Sequence, residues 1–85
     1  MAETQDLILV YGTTWCPDCV RAKHFLDRQH IPYQWINIED DPQAIAYVEQ
    51  VNGGMRRVPT ILFPDGSILV EPSNAELAKK LGTAG

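Results

Sequence analysis

Two cysteines three positions apart, Cys16 and Cys19, lie where a short apolar run gives way to a helical pattern. Residues 7–11 are apolar and include a β-branched pair, which is typical of a buried strand. Residues 12–15 form a loop, and Pro17 suits the first turn of a helix, where its missing N–H costs nothing. The sequence therefore predicts that the cysteine pair lies at a strand-to-helix turn, with Cys16 leading the helix.

The rest of the chain alternates strand and helix patterns, with turn residues between them. The predicted elements are a first helix over residues 16–29, a strand over 34–38, a helix N-capped by Asp41 with Pro42 at its first position and stopped by Gly53, strands over 60–63 and 67–70 joined by the turn 64–66, and a last helix opened by the capping box of Ser73 and Glu76. The order is β-α-β-α-β-β-α. A helix between the first two strands makes them parallel, and the hairpin is antiparallel. We therefore predict a single α/β domain over residues 1–85, with a four-stranded mixed sheet flanked by helices.

Charge and hydropathy exclude several classes of function. The net charge is −4 and the seven basic residues form no run, which argues against nucleic-acid binding. No apolar stretch approaches the roughly 20 residues of a membrane span, and the acidic N-terminus does not resemble a signal peptide. We expect a cytoplasmic monomer. Thiols are kept reduced in that compartment, so a permanent structural disulfide is a poor explanation for the two cysteines.

The placement of the cysteines favours redox chemistry over metal binding. Two cysteines cannot complete a four-thiolate zinc site, and His24 and His30 belong to the same predicted helix or its end, so all four cannot easily close on one ion. We predict no metal site. At a helix N-terminus, unpaired N–H groups and the helix dipole favour a thiolate at Cys16, and the thiolate is the nucleophile. Cys19, one turn further, is close enough to resolve a mixed disulfide.

Three segments carry a resemblance to a known family. They are "VYGTTWCPDC" (10–19), "NGGMRRVPTILFPDGS" (52–67) and "EPSNAELAKKL" (71–81). With these segments the chain resembles the glutaredoxin-like proteins of the thioredoxin fold, and among them most closely the mycoredoxins. The resemblance implies that Cys16 is the nucleophile, Cys19 the resolving thiol and Pro59 a cis-proline facing them. A cis bond there would leave the backbone of Val58 able to pair with an extended substrate.

The chain departs from the glutaredoxin pattern at three places. Asp18 replaces the tyrosine of the familiar Cys-Pro-Tyr-Cys motif and adds a negative charge beside the thiols. The Gly-Gly and Asp element that holds the γ-glutamyl end of glutathione is replaced by "VEPSN" (70–74), in which Glu71 and Pro72 are unfavourable for that group. The C-terminal signature of redoxins that serve ribonucleotide reductase is not visible. The first two departures weaken a glutathione assignment, and the third weakens the ribonucleotide-reductase one.

Further residues are candidates for substrate binding. Pro17 lies within the redox motif. Trp15 could pack over the redox site, or it could be an ordinary loop residue. Tyr11 could line the substrate groove or fill the core. Arg56 and Arg57 precede the Val-Pro pair, and we expect one of them to contact a substrate carboxylate unless both are solvated loop charges.

These observations predict a thiol–disulfide oxidoreductase. It would reduce mixed disulfides between proteins and a low-molecular-weight thiol, which is a co-substrate (mycothiol, bacillithiol or glutathione) rather than a bound cofactor. An alternative is a protein disulfide reductase recharged by thioredoxin reductase. A third reading, from a different class, is an iron–sulfur carrier in which Cys16 from each of two chains and two small thiols hold a cluster.

Overall fold

The computed structural model describes residues 7–83 and contains the predicted order of elements. Within these residues there are three α-helices, four β-strands and one 3₁₀ helix between β2 and α2. Their bounds are β1 Ile8–Gly12, α1 Pro17–Arg28, β2 Tyr33–Asn37, the 3₁₀ helix Ile38–Asp40, α2 Pro42–Val51, β3 Thr60–Leu62, β4 Ile68–Val70 and α3 Asn74–Leu81. No helix within residues 7–83 is both long and apolar enough to cross a membrane.

The four strands form one mixed sheet in the order β2-β1-β3-β4. Strands β1 and β2 are parallel, with Ile8 opposite Tyr33 and Gly12 opposite Asn37. Strand β3 is antiparallel to both β1 and β4. Because β1 and β2 are parallel, their carboxyl ends lie at the same edge of the sheet, so the loop after β1 and the residues after β2 are neighbours.

Capping interactions explain where the helices begin. The side chain of Asp41 accepts a hydrogen bond from the N–H of Ala44 at 3.1 Å, which confirms it as the N-cap of α2. Ser73 and Glu76 form the predicted capping box of α3, with both reciprocal bonds present. Satisfying the otherwise unpaired N–H groups in this way fixes each starting residue.

The 3₁₀ helix is a departure from the predicted pattern. The sequence predicts strand at Ile38, but the strand ends one residue earlier. The side chain of Asn37 accepts a hydrogen bond from the N–H of Glu39 at 3.0 Å. A local side-chain bond of this kind gives the backbone an alternative to the strand ladder, and the chain turns instead of continuing.

The sheet separates two apolar clusters. The larger packs α1 and α3 against one face, with Val10, Leu26, Ile61 and Leu77 fully buried. The smaller cluster packs α2 against the other face of the sheet through Ile38, Ala44 and Val48. Successive strand residues point to opposite faces, so β1 contributes to both clusters.

Candidate active site

Cys16 is the N-cap residue of α1. Its backbone is extended, with φ −87° and ψ 114°, and its Sγ accepts a hydrogen bond from the N–H of Cys19 at 3.2 Å. The same sulfur lies 4.0 Å from the carbonyl oxygen of Val58. The sulfur therefore faces the unpaired N–H groups and the positive end of the helix dipole at the start of α1.

Cys19 is completely buried, whereas Cys16 keeps 7% of its surface exposed. Burial raises the pKa of the Cys19 thiol to about 12, and the hydrogen bond with Cys16 acts in the same direction. The backbone of Thr13 forms a hydrogen bond with Cys19 that lowers this pKa, but by less. Cys19 therefore remains a protonated thiol near neutral pH, and only Cys16 combines some exposure with the helix N-terminus.

Gly12 allows Cys19 to pack against the end of β1. A Cβ atom added at Gly12 would lie 2.7 Å from the Sγ of Cys19 and 2.7 Å from Cη2 of Trp35. Contacts that short do not occur between unstrained atoms, so no residue larger than glycine fits without displacing the thiol or the indole.

The loop before β3 presents the backbone of Val58 to Cys16. The Val58–Pro59 peptide bond is cis, as the resemblance implied, and Pro59 is fully buried. The carbonyl of Pro59 accepts a hydrogen bond from the N–H of Glu71 at 2.8 Å. The hydroxyl of Thr60 donates to the carbonyl of Arg57 at 2.6 Å. These bonds hold both sides of the Val-Pro pair, so its position relative to Cys16 is well defined.

A cavity of about 370 Å³ lies beside this pair. Trp15 precedes Cys16 in the sequence, and the carbonyl oxygen of Val58 lies 4.0 Å from the Cys16 sulfur. Both residues contribute to the wall of the cavity. The lining residues are Thr13, Trp15, Ile38, Glu39, Ile45, Arg56 and Val58. The cavity therefore has an apolar floor, one aromatic side chain and one side chain of each charge.

Glu39 anchors the Trp15 side of this cavity. The indole is 70% exposed, yet its Nε1–H donates to Oε2 of Glu39 at 2.8 Å. The hydroxyl of Thr14 donates to Oε1 of the same carboxylate at 3.2 Å. Desolvation acts to raise the pKa of Glu39, but hydrogen bonds, chiefly from Trp15 and Thr14, outweigh it and lower that pKa below its ordinary value. Glu39 is thus a carboxylate that fixes an otherwise exposed ring.

The two candidate arginines are each paired with an acidic side chain. Nε of Arg56 lies 2.7 Å from Oε2 of Glu49, and Nη1 of Arg57 lies 3.6 Å from Oε2 of Glu71. Arg56 lines the cavity, and Arg57 is not among its lining residues. The positive charge that the sequence offers for a substrate carboxylate is therefore already balanced on the protein.

Tyr11 and Asp18 occupy places that their sequence positions do not reveal. The ring of Tyr11 packs against Tyr47 with 4.9 Å between centroids and lines a separate cavity of about 240 Å³. The carboxylate of Asp18 pairs with Arg21, with 2.7 Å between Oδ1 and Nη2. The negative charge beside the two thiols is consequently compensated within α1.

Sequence reasoning did not identify Thr13, Ile38, Glu39 and Ile45 as residues of the site. The sequence contains a signal for Thr13, Ile38 and Glu39. Residues that follow two adjacent parallel strands meet at one edge of a sheet, so positions 38–39 belong beside positions 13–16. No motif marks Ile45, which reaches the cavity from α2.

Comparisons with known proteins identify the family of this chain. The family model described as Glutaredoxin matches residues 8–68. A Mycobacterium tuberculosis protein named "Putative glutaredoxin" is 43% identical over 74 residues, covering 87% of this chain and 88% of that protein. Mycoredoxin 1 of Corynebacterium glutamicum is 36% identical over 74 residues, covering 87% and 91%. The crystal structure of a glutaredoxin from Archaeoglobus fulgidus matches with a TM-score of 0.74 at 25% identity, covering 87% of this chain and 84% of that one. The structural likeness confirms the predicted thioredoxin/glutaredoxin-like fold.

Proposed function

The chain belongs to the glutaredoxin family, and on that premise we propose that it reduces mixed disulfides between proteins and a low-molecular-weight thiol. The observation that carries this proposal is the position of Cys16. Its sulfur caps α1, lies 4.0 Å from the Val58 carbonyl and adjoins the residues that line the cavity, whereas Cys19 is buried behind it.

The proposed reaction begins with the Cys16 thiolate. It attacks the small-thiol sulfur of the mixed disulfide, a new bond forms between the two sulfurs, and the protein thiolate leaves and takes up a proton. A second small thiol then attacks the bond to Cys16, which yields a small-molecule disulfide and regenerates the Cys16 thiolate. In the alternative second step, Cys19 loses its proton and attacks Sγ of Cys16, which releases the small thiol and forms an internal disulfide. A dithiol reductant must then supply two electrons.

We propose a sugar thiol, mycothiol or bacillithiol, as the preferred co-substrate. Similarity to a relative named mycoredoxin supports this choice. The backbone at the γ-glutamyl position supports it independently. The N–H of Glu71 is already bonded to the Pro59 carbonyl, and Pro72 has no N–H to offer. An anionic γ-glutamyl group would meet the Glu71 carboxylate and find few free donors there.

The decisive experiment compares peptide mixed disulfides of mycothiol, bacillithiol and glutathione, each with its own thiol as reductant, in parallel with thioredoxin reductase. We expect turnover that depends on Cys16 and is greatest with a sugar thiol. Turnover with thioredoxin reductase alone would contradict the proposal and establish the protein disulfide reductase. A brown, visible-absorbing protein with no turnover would favour the iron–sulfur carrier.

A further inference from the structure

The cavity beside Cys16 combines features that suit an uncharged polar ligand. Its floor is apolar, formed by Ile38, Ile45 and Val58. Trp15 offers the face of a large ring, 70% exposed, on which the C–H groups of a saturated ring can pack. A few polar groups at the rim of an apolar pocket are the usual means of fixing a small ligand's orientation.

The charges around the cavity disfavour an ionic ligand. Glu39 is held as a carboxylate because its pKa is lowered. Arg56, the positive side chain in the lining, lies 2.7 Å from Glu49 and is already paired. A ligand carboxylate would compete with Glu49 for Arg56 and would be repelled by Glu39. A hydroxyl meets neither obstacle, because it can donate to a carboxylate and accept from a guanidinium.

A buried hydroxyl in the wall provides an independent indication. The side chain of Thr13 lines the cavity and is 5% exposed. Within residues 7–83, its Oγ1 is a buried side-chain polar atom that has no hydrogen-bond partner. Buried polar groups are nearly always paired, so an unpaired one at a cavity wall is accounted for when a ligand supplies the partner.

We infer that this cavity is the subsite for a hydroxyl-bearing, uncharged group of the small thiol, and that Glu39 is the positioning residue that holds Trp15 across it. This inference rests on the proposed function. The backbone N–H of Glu39 donates to Oδ1 of Asn37 at 3.0 Å, which fixes the backbone that carries the carboxylate bound to the indole. Trp15 is then held ready for the ligand before it binds, which lowers the entropy cost of binding.

The test uses two mixed disulfides of one peptide. One carries mycothiol, and the other carries β-mercaptoethanol, which is too short to fill the cavity while its sulfur is at Cys16. Glu39→Ala should lower kcat/KM on the mycothiol disulfide about tenfold, mainly through KM, as expected for losing one charge-assisted hydrogen bond. The β-mercaptoethanol disulfide should change less than about twofold.

Two further variants separate positioning from a general loss of structure. Glu39→Gln keeps an oxygen that accepts from the indole and should recover most of the mycothiol efficiency. Asp40→Ala removes a neighbouring exposed carboxylate from the same turn and should leave both substrates unchanged. Access of a neutral quencher to Trp15 should increase in Glu39→Ala and return towards the wild-type value in Glu39→Gln.

Thr13→Val tests the buried hydroxyl without creating a void, since the two side chains have nearly equal volumes. We expect a several-fold loss of kcat/KM with mycothiol alone. If the wild-type protein reduces neither disulfide, the proposed function fails. If it reduces both and Glu39→Ala lowers both equally or neither, the function stands and the subsite is overturned.

Discussion

The N–H of Cys19 donates a hydrogen bond to the Sγ of Cys16 at 3.2 Å, so the two cysteines are joined by a direct hydrogen bond before any substrate binds. The bond satisfies one of the unpaired N–H groups at the start of α1 and directs it at the sulfur where negative charge develops. A hydrogen bond from an N–H to a thiolate is stronger than one to a thiol, because the thiolate acceptor is charged. The helix is thus capped by the sulfur that acts as the nucleophile in the proposed reaction.

The two cysteines should respond differently to replacement by serine. Cys16→Ser should abolish reduction of every mixed disulfide, because Cys19 is buried and protonated. Cys19→Ser should retain a measurable fraction of activity on small-thiol mixed disulfides, since a second thiol molecule can resolve the bond to Cys16. Steady-state turnover on a small-thiol disulfide measures both.

Loss of structure should not complicate that comparison. Serine is among the preferred N-cap residues, so the free energy of unfolding of Cys16→Ser should lie within about 1 kcal/mol of the wild-type value. Equal inactivity of two folded variants would show that resolution requires Cys19 and would exclude the single-cysteine route.

The Cys19 thiol should ionise only at unusually high pH, because its pKa is raised. Burial is the largest cause of its raised pKa, about 12, and burial persists in Cys16→Ser. In that variant, the rate of Cys19 alkylation should keep rising about tenfold per pH unit well above the ordinary thiol value of about 8.5. Unfolding in denaturant provides the control, because it should restore ordinary behaviour. A plateau near the ordinary value in the folded protein would contradict the assignment.

Gly12→Ala should damage the site through packing. Its Cβ would lie 2.7 Å from both Cys19 Sγ and the Trp35 ring, so the end of β1 or these side chains must move. We expect a loss of about 1–3 kcal/mol in the free energy of unfolding, together with faster Cys19 alkylation. Gly66→Ala is the comparison variant. A Cβ atom added at Gly66 would meet no atom within 4 Å, so the substitution strains only the backbone, whose φ is +90°. It should lose stability without exposing Cys19.

Arg21 should matter more to stability than its ion pair suggests. It donates to Asp18, to the Pro72 carbonyl at 2.6 Å and to Asn74 Oδ1 at 2.6 Å, so it links α1 to the start of α3. Arg21→Ala should cost about 1–3 kcal/mol in urea unfolding, whereas Asp18→Ala, which removes only a surface ion pair, should cost less than about 1 kcal/mol. Arg21→Lys should not restore stability, because an ammonium cannot reproduce the planar fork. Equal losses for the arginine and aspartate variants would disprove the link to α3.

The order of the elements could be predicted because local signals decide it. Asp41 and the Ser73–Glu76 pair mark helix starts through hydrogen bonds within one turn, and both are confirmed. Pro17, which suits the first helical position because it has no N–H, is confirmed at the start of α1. Strand ends were displaced by about one residue in the prediction. They are set by a partner strand, as with Ile8 opposite Tyr33, and the sequence does not state that register.

The parts of the site that escaped prediction depend on tertiary placement. Glu39 accepts a hydrogen bond from Trp15 only because β1 and β2 end at the same edge of the sheet. The sequence shows Arg56 and Arg57 as two available cations, but each is paired with an acidic side chain from outside the α2–β3 loop, Glu49 and Glu71 respectively. Charges can be counted in a sequence, whereas their partners appear only once the chain has folded.

Glutathione specificity should be limited by Glu71, which can be tested by removing its charge. Its carboxylate lies 3.6 Å from Arg57 and would repel the γ-glutamyl carboxylate of a bound glutathione. Glu71→Gln removes the repulsion and frees Arg57, while the N–H of residue 71 still bonds to Pro59. We expect kcat/KM on a glutathione mixed disulfide to rise roughly three- to tenfold, equivalent to about one charge-assisted contact, with the value for the mycothiol disulfide nearly unchanged.

Asp65→Asn, at the opposite end of the β3–β4 hairpin, makes the same change in net charge and should leave kcat/KM on both disulfides unchanged. If the two variants raise glutathione efficiency equally, net charge alone governs the preference. If Glu71→Gln raises neither, the missing N–H at Pro72 is the stronger barrier to glutathione.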